Sequence, residues 1–467
     1  MSSAIHWLQH DTAGLLLLCV IAIALLLFLI IRVKLEPFIS LLATGLFLAL
    51  VAGLQVRTIV GTALKSSDSV LEKGFGGILG HIAVIIGLGT VLGALLERSG
   101  GADVLSQKLL RIFGPKGTPV AMGLVGLIFG IPVFFDIGIF VLAPLVYVAA
   151  KRGGKSLVLY ALPVLAGLSM THAFLPPHPG PTAVAGLLHV DMGWLIIIGL
   201  ACGLPAFAVA GVLWPMYIAP RLPVTVPDEF LVAVDEEGDG EKKAPPSLGL
   251  VMAVILLPLV LILGATFGTL ILDPQRELLS VLTFLGNPAV ALLLAVLLAY
   301  FLLGARRGMS AGEFSELSSN SLKPVGMILL VVGAGAFFGA VISATGVGAA
   351  LAKSLSSAGL PVLLLAYVIS CGLRIAQGSA TVAIVTTGGI VGPLLTSGSY
   401  SQTHLALIAA AICAGSIILS HVNDGGFWIV AKYFNMTVKE TLLTWSVLET
   451  VLSLVGFGMA SLLWAII

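Results

Sequence analysis

Apolar residues fill most of the chain in runs of about 20, separated by short polar segments. An α-helix needs about 20 apolar residues to cross the hydrocarbon core of a bilayer, so the pattern predicts an all-α polytopic membrane protein. About ten full spans are predicted, at Gly14–Ile31, Pro37–Leu54, Ile78–Leu96, Leu157–Leu188, Met192–Ile218, Leu248–Leu272, Asn287–Leu303, Pro324–Ala344, His404–Tyr433 and Thr441–Ile467.

Two further apolar stretches do not fit single helices. Thr118–Ala150 is too long for one span and too short for two, and it is interrupted at Gly130–Pro132; Pro361–Thr396 is similar, with its interruption at Gln377–Ala380. Basic residues lie on both sides of the first stretch, at Arg98, Lys108, Arg111, Lys116, Lys151, Arg152 and Lys155. Because short basic loops face the cytoplasm, a stretch with such loops at both ends returns to the side that it entered. Both stretches are therefore predicted to be re-entrant helical hairpins.

Two of the predicted spans are interrupted by residues that do not continue a helix. The first contains "MTHAFLPPHPGPTAV" from Met170 to Val184, with four prolines, and the second contains "SHVNDGGFW" from Ser420 to Trp428. Proline has no backbone N–H and pushes the preceding residue toward an extended conformation. Broken backbone survives at membrane depth only inside protein or against a watery cavity, so both segments point to a solute-binding site.

The order of elements repeats on either side of a polar, acidic segment at 219–247. We predict a first repeat at 1–218, with its hairpin at about 118–150 and broken helix at about 157–188. A cytoplasmic linker follows, and then a second repeat at 248–467, with its hairpin at about 361–396 and broken helix at about 404–433. Each half has five full spans, an odd number, so the second repeat must be inverted. Secondary transporters have this architecture, with the site where the repeats meet.

Composition excludes a water-soluble protein. The 467 residues are 58% hydrophobic and 10% charged, whereas soluble proteins carry about 25% charged residues. A net charge of +1 predicts no nucleic-acid partner, and the four cysteines show no disulfide or metal spacing, so neither a metal nor a cofactor is predicted. The motif GxxxxGK[ST] is absent, which argues against ATP-driven transport. An intramembrane enzyme that uses Asp136 or Asp424 with histidines stays open as an alternative, and a channel is disfavoured.

The candidate binding residues lie at the two interruptions and at the second hairpin tip. They are Thr171, His172, His178, Gly180, Thr182, Arg374, Gly378, Ser379, Thr381, Ser420, His421, Asn423 and Asp424. Half-helix N-termini expose unpaired N–H groups that suit an anion, and a guanidinium such as that of Arg374 binds carboxylates well. The alternatives are that the hydroxyl residues only cap broken backbone, and that Arg374 pairs with Asp136 or with backbone carbonyls.

Asp136 is the candidate for proton coupling. It follows Pro132, which is predicted to open the returning helix, and lies among Phe134, Phe135 and Ile137. An apolar environment disfavours a charged carboxyl, and a carboxyl that can lose its charge suits a proton-coupled carrier. Asp424 is the rival, and its place before a half-helix suggests a cap or an orienting group.

The segments "THAFLPPHPGPTAV", "RIAQGSATVA" and "SHVNDGGFW" resemble the gluconate permease (gluconate:proton symporter) family, and the resemblance runs nearly end to end. It implies proton-coupled uptake of gluconate or a related sugar acid across the bacterial inner membrane, with no enzymatic step. It also implies the ion-transporter superfamily fold of paired hairpins and broken helices, and it suggests a homodimer. His172, His421 and Asn423 would then contact sugar hydroxyls. D-serine, idonate and fructuronate, carried by similar proteins, stay open as substrates.

Overall fold

The computed structural model describes residues 2–62, 68–226, 246–273, 276–323, 325–348, 350, 361–395, 400–421 and 424–467. The regular structure in these ranges is helical. The helices of the first half are α1 (Ser2–His10), α2 (Thr12–Leu27), α3 (Pro37–Val51), α4 (Val56–Val60), α5 (Val70–Arg98), α6 (Gly101–Phe129), α7 (Phe135–Gly153), α8 (Val158–Phe174), α9 (Pro179–Leu188), α10 (Met192–Phe207) and α11 (Trp214–Ile218). Those of the second half are α12 (Leu248–Ile271), α13 (Glu277–Leu285), α14 (Pro288–Ala299), α15 (Ala311–Leu322), α16 (Val325–Ala344), α17 (Val362–Gln377), α18 (Ala380–Leu395), α19 (Gln402–Gly415), α20 (Gly425–Tyr433), α21 (Val438–Thr441) and α22 (Val447–Ile466).

Eight helical segments within the described ranges are long and apolar enough to cross a membrane. They coincide with eight of the ten predicted full spans; α3 and the second broken helix are shorter than expected. Helix α3 has 15 residues because Glu36 caps its start and Gly53, with φ of +84°, lies just past its end. Helices α19 and α20 have 14 and 9 residues. The short helices α1, α4, α13 and α15 were not predicted.

The first predicted hairpin consists of α6 and α7, joined by a tip at 130–134 that we call tip 1. The prediction that Pro132 opens the returning helix is wrong, because α7 begins at Phe135 and Pro132 lies inside tip 1. Asp136 is consequently in the first turn of α7. Helix α6 also begins earlier than predicted, at Gly101, and is kinked at Gly114.

The second predicted hairpin consists of α17 and α18, joined by Gly378 and Ser379, which we call tip 2. Gly378 ends α17 with φ of +85°, a conformation that glycine adopts without steric cost. Helix α18 begins at Ala380, at the end of the predicted interruption, and the backbone N–H of Val382 donates to Ser379 Oγ at 3.4 Å.

Both predicted broken helices are interrupted in the structure. Helices α8 and α9 are separated by residues 175–178, which we call break 1. Helices α19 and α20 are separated by residues 416–424, called break 2, of which 422–423 lie outside the described residues. The two interruptions are not equivalent, because the candidate residue His172 belongs to α8 whereas the candidate residue His421 lies in break 2.

The two broken helices run in opposite directions. Just before α8, Ser156 Oγ donates to the carbonyl of Leu222 at 2.7 Å. Leu222 directly follows the last helical residue of the first half, Arg221. At the end of α9, Gln402 Oε1 accepts from the N–H of Asp191 at 2.7 Å, and Gln402 Nε2 donates to the His189 carbonyl at 3.1 Å. Because Gln402 is the first residue of α19, the second broken helix begins on the face where the first one ends.

Corresponding helices of the two halves contact each other in matched pairs. Helix α5 contacts α16, and α10 contacts α22. The contact of α3 with α16 is matched by that of α14 with α5, and the contact of α9 with α18 by that of α20 with α7. An approximate twofold relation between the halves would produce such reciprocal pairs.

Helices α6 and α8 cross with their backbones in contact. A methyl group on Gly167 would lie 2.4 Å from the Leu127 nitrogen, and one on Gly126 would lie 2.3 Å from the Val164 carbonyl oxygen. Glycine permits such close approach between membrane helices. We expect Gly167→Ala to lower the free energy of unfolding by about 1–3 kcal/mol, since the helices must separate.

The midpoint of thermal unfolding of the purified protein in detergent, followed by tryptophan fluorescence, measures this effect. Gly264→Ala is the matched control, because no atom lies within 4 Å of the position its methyl group would take. Equal midpoints for the two variants would contradict a tight crossing at Gly167.

Candidate functional site

Both tips and both broken helices meet at one cavity of about 510 Å³. This volume lies within the range of about 300–1,000 Å³ typical of small-molecule sites. The lining residues are Phe134, Phe135, Asp136, Ile137, Ser169, His172, Pro179, Arg374, Gly378, Ser379, Ala380, Thr381, Ile417, Asp424, Gly425, Gly426, Ile429, Trp445 and Glu449. The aromatic rings of Phe135 and Trp445 stack on each other in the wall, with centroids 5.3 Å apart.

Four helix N-termini point to this cavity. Helices α7, α9, α18 and α20 begin at Phe135, Pro179, Ala380 and Gly425, and all four of these residues line it. The first turn of a helix has backbone N–H groups without helical partners and carries a partial charge of about +0.5. Four such ends around one space favour an anionic ligand. Helix α9 contributes its dipole more than free donors, because Pro179 and Pro181 have no N–H.

Arg374 provides a positive side chain to the cavity and is 4% exposed. Its Nη2 donates to Asp424 Oδ2 at 2.5 Å, and its Nη1 donates to the Gly378 carbonyl at tip 2. Among the described residues, Nε has no hydrogen-bond partner. The sequence left open whether Arg374 pairs with Asp136 or with backbone carbonyls; here it pairs with Asp424 and one carbonyl.

Asp424 connects this ion pair to the start of α20. Its Oδ1 accepts from the N–H of Gly426 at 2.9 Å, which makes Asp424 the N-cap of α20. Ser420 Oγ donates to Asp424 Oδ2 and accepts from Trp445 Nε1 at 2.8 Å. Ser420 therefore contributes by holding Asp424 and does not itself line the cavity.

Two other carboxyl groups face the cavity in different surroundings. Asp136 is exposed to it, although its sequence neighbours are apolar. Glu449, on α22, is 2% exposed and lines the cavity together with Ser169 of α8. Glu449 is not among the residues predicted from the sequence. The available signal was a single acidic residue in an otherwise apolar final span, which is by default a candidate functional residue.

The histidines have separate roles in the packing. His172 lines the cavity, and its ring lies beside those of Phe134, Phe135 and His178. His178 is buried outside the cavity, with Nε2 2.7 Å from the carbonyl oxygen of Gly130 in tip 1. His421 Nε2 lies 3.0 Å from the Ile375 carbonyl oxygen near tip 2. His178 thus contacts tip 1 from break 1, and His421 contacts the last turn of α17 from break 2.

The remaining predicted residues divide into two groups. Gly378, Ser379 and Thr381 line the cavity. Three others do not: Thr171 Oγ1 bonds to carbonyls of its own helix, Gly180 packs against Ile384, and Thr182 is fully buried. Asn423 lies outside the described residues.

A cavity lined by the starts of four helices in an apolar helical protein is typical of a membrane transporter. The chain belongs to the family described as GntP family permease, whose model matches residues 14–467. It is accordingly a transporter, not an enzyme, and a multi-pass protein of the bacterial inner membrane.

Curated relatives match nearly end to end. The inner membrane permease YgbN of Escherichia coli is 41% identical over 98% of this chain and 100% of its own. A gluconate permease of Pseudomonas aeruginosa is 39% identical, covering 96% and 97%. The low-affinity gluconate transporter of E. coli is 37% identical, covering 95% and 97%.

A solved structure has the same overall fold. The YdaH transporter of Alcanivorax borkumensis superimposes with a TM-score of 0.61, covering 92% of this chain and 97% of its own, at 15% sequence identity. The likeness supports the all-helical membrane fold that the sequence predicted.

Proposed function

We propose that this permease imports gluconate or a closely related sugar acid together with at least one proton. The observation that carries the proposal is the convergence of four helix N-termini and Arg374 on a single cavity. Relatives named gluconate permease or gluconate transporter, at 37–39% identity over nearly the whole chain, point to the same class of anion.

In the proposed complex, the substrate carboxylate lies between the starts of α7 and α18, beside the guanidinium of Arg374. Ser379 and Thr381 supply hydroxyl groups beside it, and His172 faces the polyol chain. The apolar wall of Phe135 and Trp445 would contact the carbon backbone. His421 and Asn423, also predicted to contact sugar hydroxyls, would need to move toward the cavity or to act through break 2.

Asp136 is the proposed proton carrier. Its side chain is exposed to the cavity, so it can exchange protons with water in the cavity where the substrate is proposed to bind. Asp424 is a weaker candidate, because its carboxylate already accepts from Arg374, Ser420 and Gly426. The proton would neutralise part of the negative charge that the substrate brings.

Alternating access would come from two inverted repeats, 1–218 and 248–467, joined by the linker 219–247. The opposite directions of the broken helices and the matched helix contacts support this proposal. The homodimer that the family resemblance suggests stays a prediction.

Uptake of labelled gluconate into proteoliposomes tests the function. We expect accumulation when the outside is more acidic than the inside, and its loss when a protonophore collapses the gradient. Idonate and fructuronate should compete, and D-serine should compete poorly. Uptake that does not depend on the pH gradient would reject proton coupling. Stronger competition by D-serine than by idonate and fructuronate would reject the sugar-acid assignment.

A further inference from the structure

Glu449 is a buried carboxyl group for which the proposed transport cycle has no role so far. It lies on α22 and lines the same cavity as Ser169 on α8. Arg374 and Asp424 also line this cavity. Glu449 Oε1 is buried and has no hydrogen-bond partner among the described residues.

Among the described residues that line the cavity, Arg374 has the one permanent positive charge that could balance an ionised Glu449. Arg374 already pairs with Asp424 at 2.5 Å. His172 Nδ1 is buried and has no partner within the described part of the chain, whereas a charged imidazolium would need acceptors for both N–H groups. Asp136, the remaining titratable group in the lining, is itself acidic. A buried carboxylate with an unpaired oxygen is costly, so this arrangement favours the neutral acid.

We propose that Glu449 is a proton-binding site whose protonation is coupled to the binding of the anionic substrate. The inference rests on the proposed function. A carboxylate oxygen of Glu449 takes a proton from water in the cavity, and no other bond is made or broken. The substrate anion disfavours an ionised Glu449 nearby, so substrate binding promotes proton binding and, by reciprocity, the proton strengthens substrate binding.

Glu449→Gln tests this coupling because glutamine resembles the neutral acid. The slope of the logarithm of the substrate dissociation constant against pH counts the protons taken up with substrate, about tenfold in affinity per pH unit for one proton. In the alkaline range, where Glu449 of the substrate-free protein has released its proton, we expect the slope in Glu449→Gln to be smaller than in the unmodified protein by about one proton, with binding retained. The control is Glu316→Gln on the exposed face of α15, which should leave the slope unchanged. An unchanged slope in Glu449→Gln would overturn the proposal.

Infrared spectroscopy of the purified protein provides a readout that needs no substrate. The difference spectrum between the unmodified protein and Glu449→Gln should contain the carbonyl band of a protonated carboxyl group. Glu449→Asp should keep this band at a shifted frequency, which covers the case in which Glu449→Gln does not fold. Absence of the band from both comparisons would overturn the protonated Glu449. If the band is present but the unmodified protein transports no sugar acid, the proposed function fails while the proton site stands.

Discussion

Arg374→Ala is expected to abolish sugar-acid uptake and to lower the free energy of unfolding by about 3–5 kcal/mol, the range for loss of one partner of a buried ion pair. The guanidinium is 4% exposed and holds both Asp424 and the Gly378 carbonyl. Its removal leaves the carboxylate of Asp424 without its positive partner and takes away the cationic side chain proposed to meet the substrate. Uptake into proteoliposomes and thermal unfolding in detergent measure the two effects.

Two companion variants separate charge from geometry. Arg374→Lys keeps the positive charge, but an ammonium group cannot reproduce the planar fork that contacts Asp424 and Gly378 together, so most of the transport loss should remain. Arg374→Ala combined with Asp424→Asn should be more stable than Arg374→Ala alone, because no unpaired carboxylate is left. Normal uptake by Arg374→Ala would show that the substrate anion does not depend on this side chain.

Asp136→Asn is expected to lose accumulation driven by a pH gradient while retaining exchange of substrate across the membrane. Asparagine keeps nearly the same shape in the first turn of α7 but cannot bind and release a proton. The Asp136→Asn protein should therefore still bind substrate and change conformation with substrate bound. Counterflow of labelled substrate into preloaded vesicles, compared with uptake under an imposed pH gradient, distinguishes the two activities.

The control for Asp136→Asn is Asp273→Asn, which makes the same change at an exposed position after α12. It should behave like the unmodified protein in both assays. Accumulation by Asp136→Asn that still follows the pH gradient would remove Asp136 from the coupling mechanism, and Asp424 would become the next residue to test.

Local chemistry made the interrupted elements predictable. Pro176, Pro177 and Pro179 cannot continue a helix, and α8 ends just before them, at Phe174. Gly378 tolerates a positive φ, so α17 ends there as predicted. The cap at Asp424 also follows from its position before two glycines. These features depend on a few neighbouring residues, and the sequence displays them directly.

Features that depend on distant residues were not predictable in the same way. Arg374 and Asp424 are 50 positions apart in the sequence. Asp424, and not Asp136, forms the ion pair with Arg374 because α17 packs beside break 2. Glu449 lies far from either break, and its access to the cavity arises from how α22 packs beside α8 and α10. His421 lies outside the lining because α19 ends earlier than the corresponding helix α8.

The guanidinium of Arg374 donates both to the carbonyl of Gly378, at the C-terminal end of α17, and to the carboxylate of Asp424, the N-cap of α20. Any anion that draws Arg374 toward itself must weaken both attachments at the same time. Hydrogen exchange at tip 2 and in the first turn of α20 would then rise and fall together as the ligand concentration is titrated.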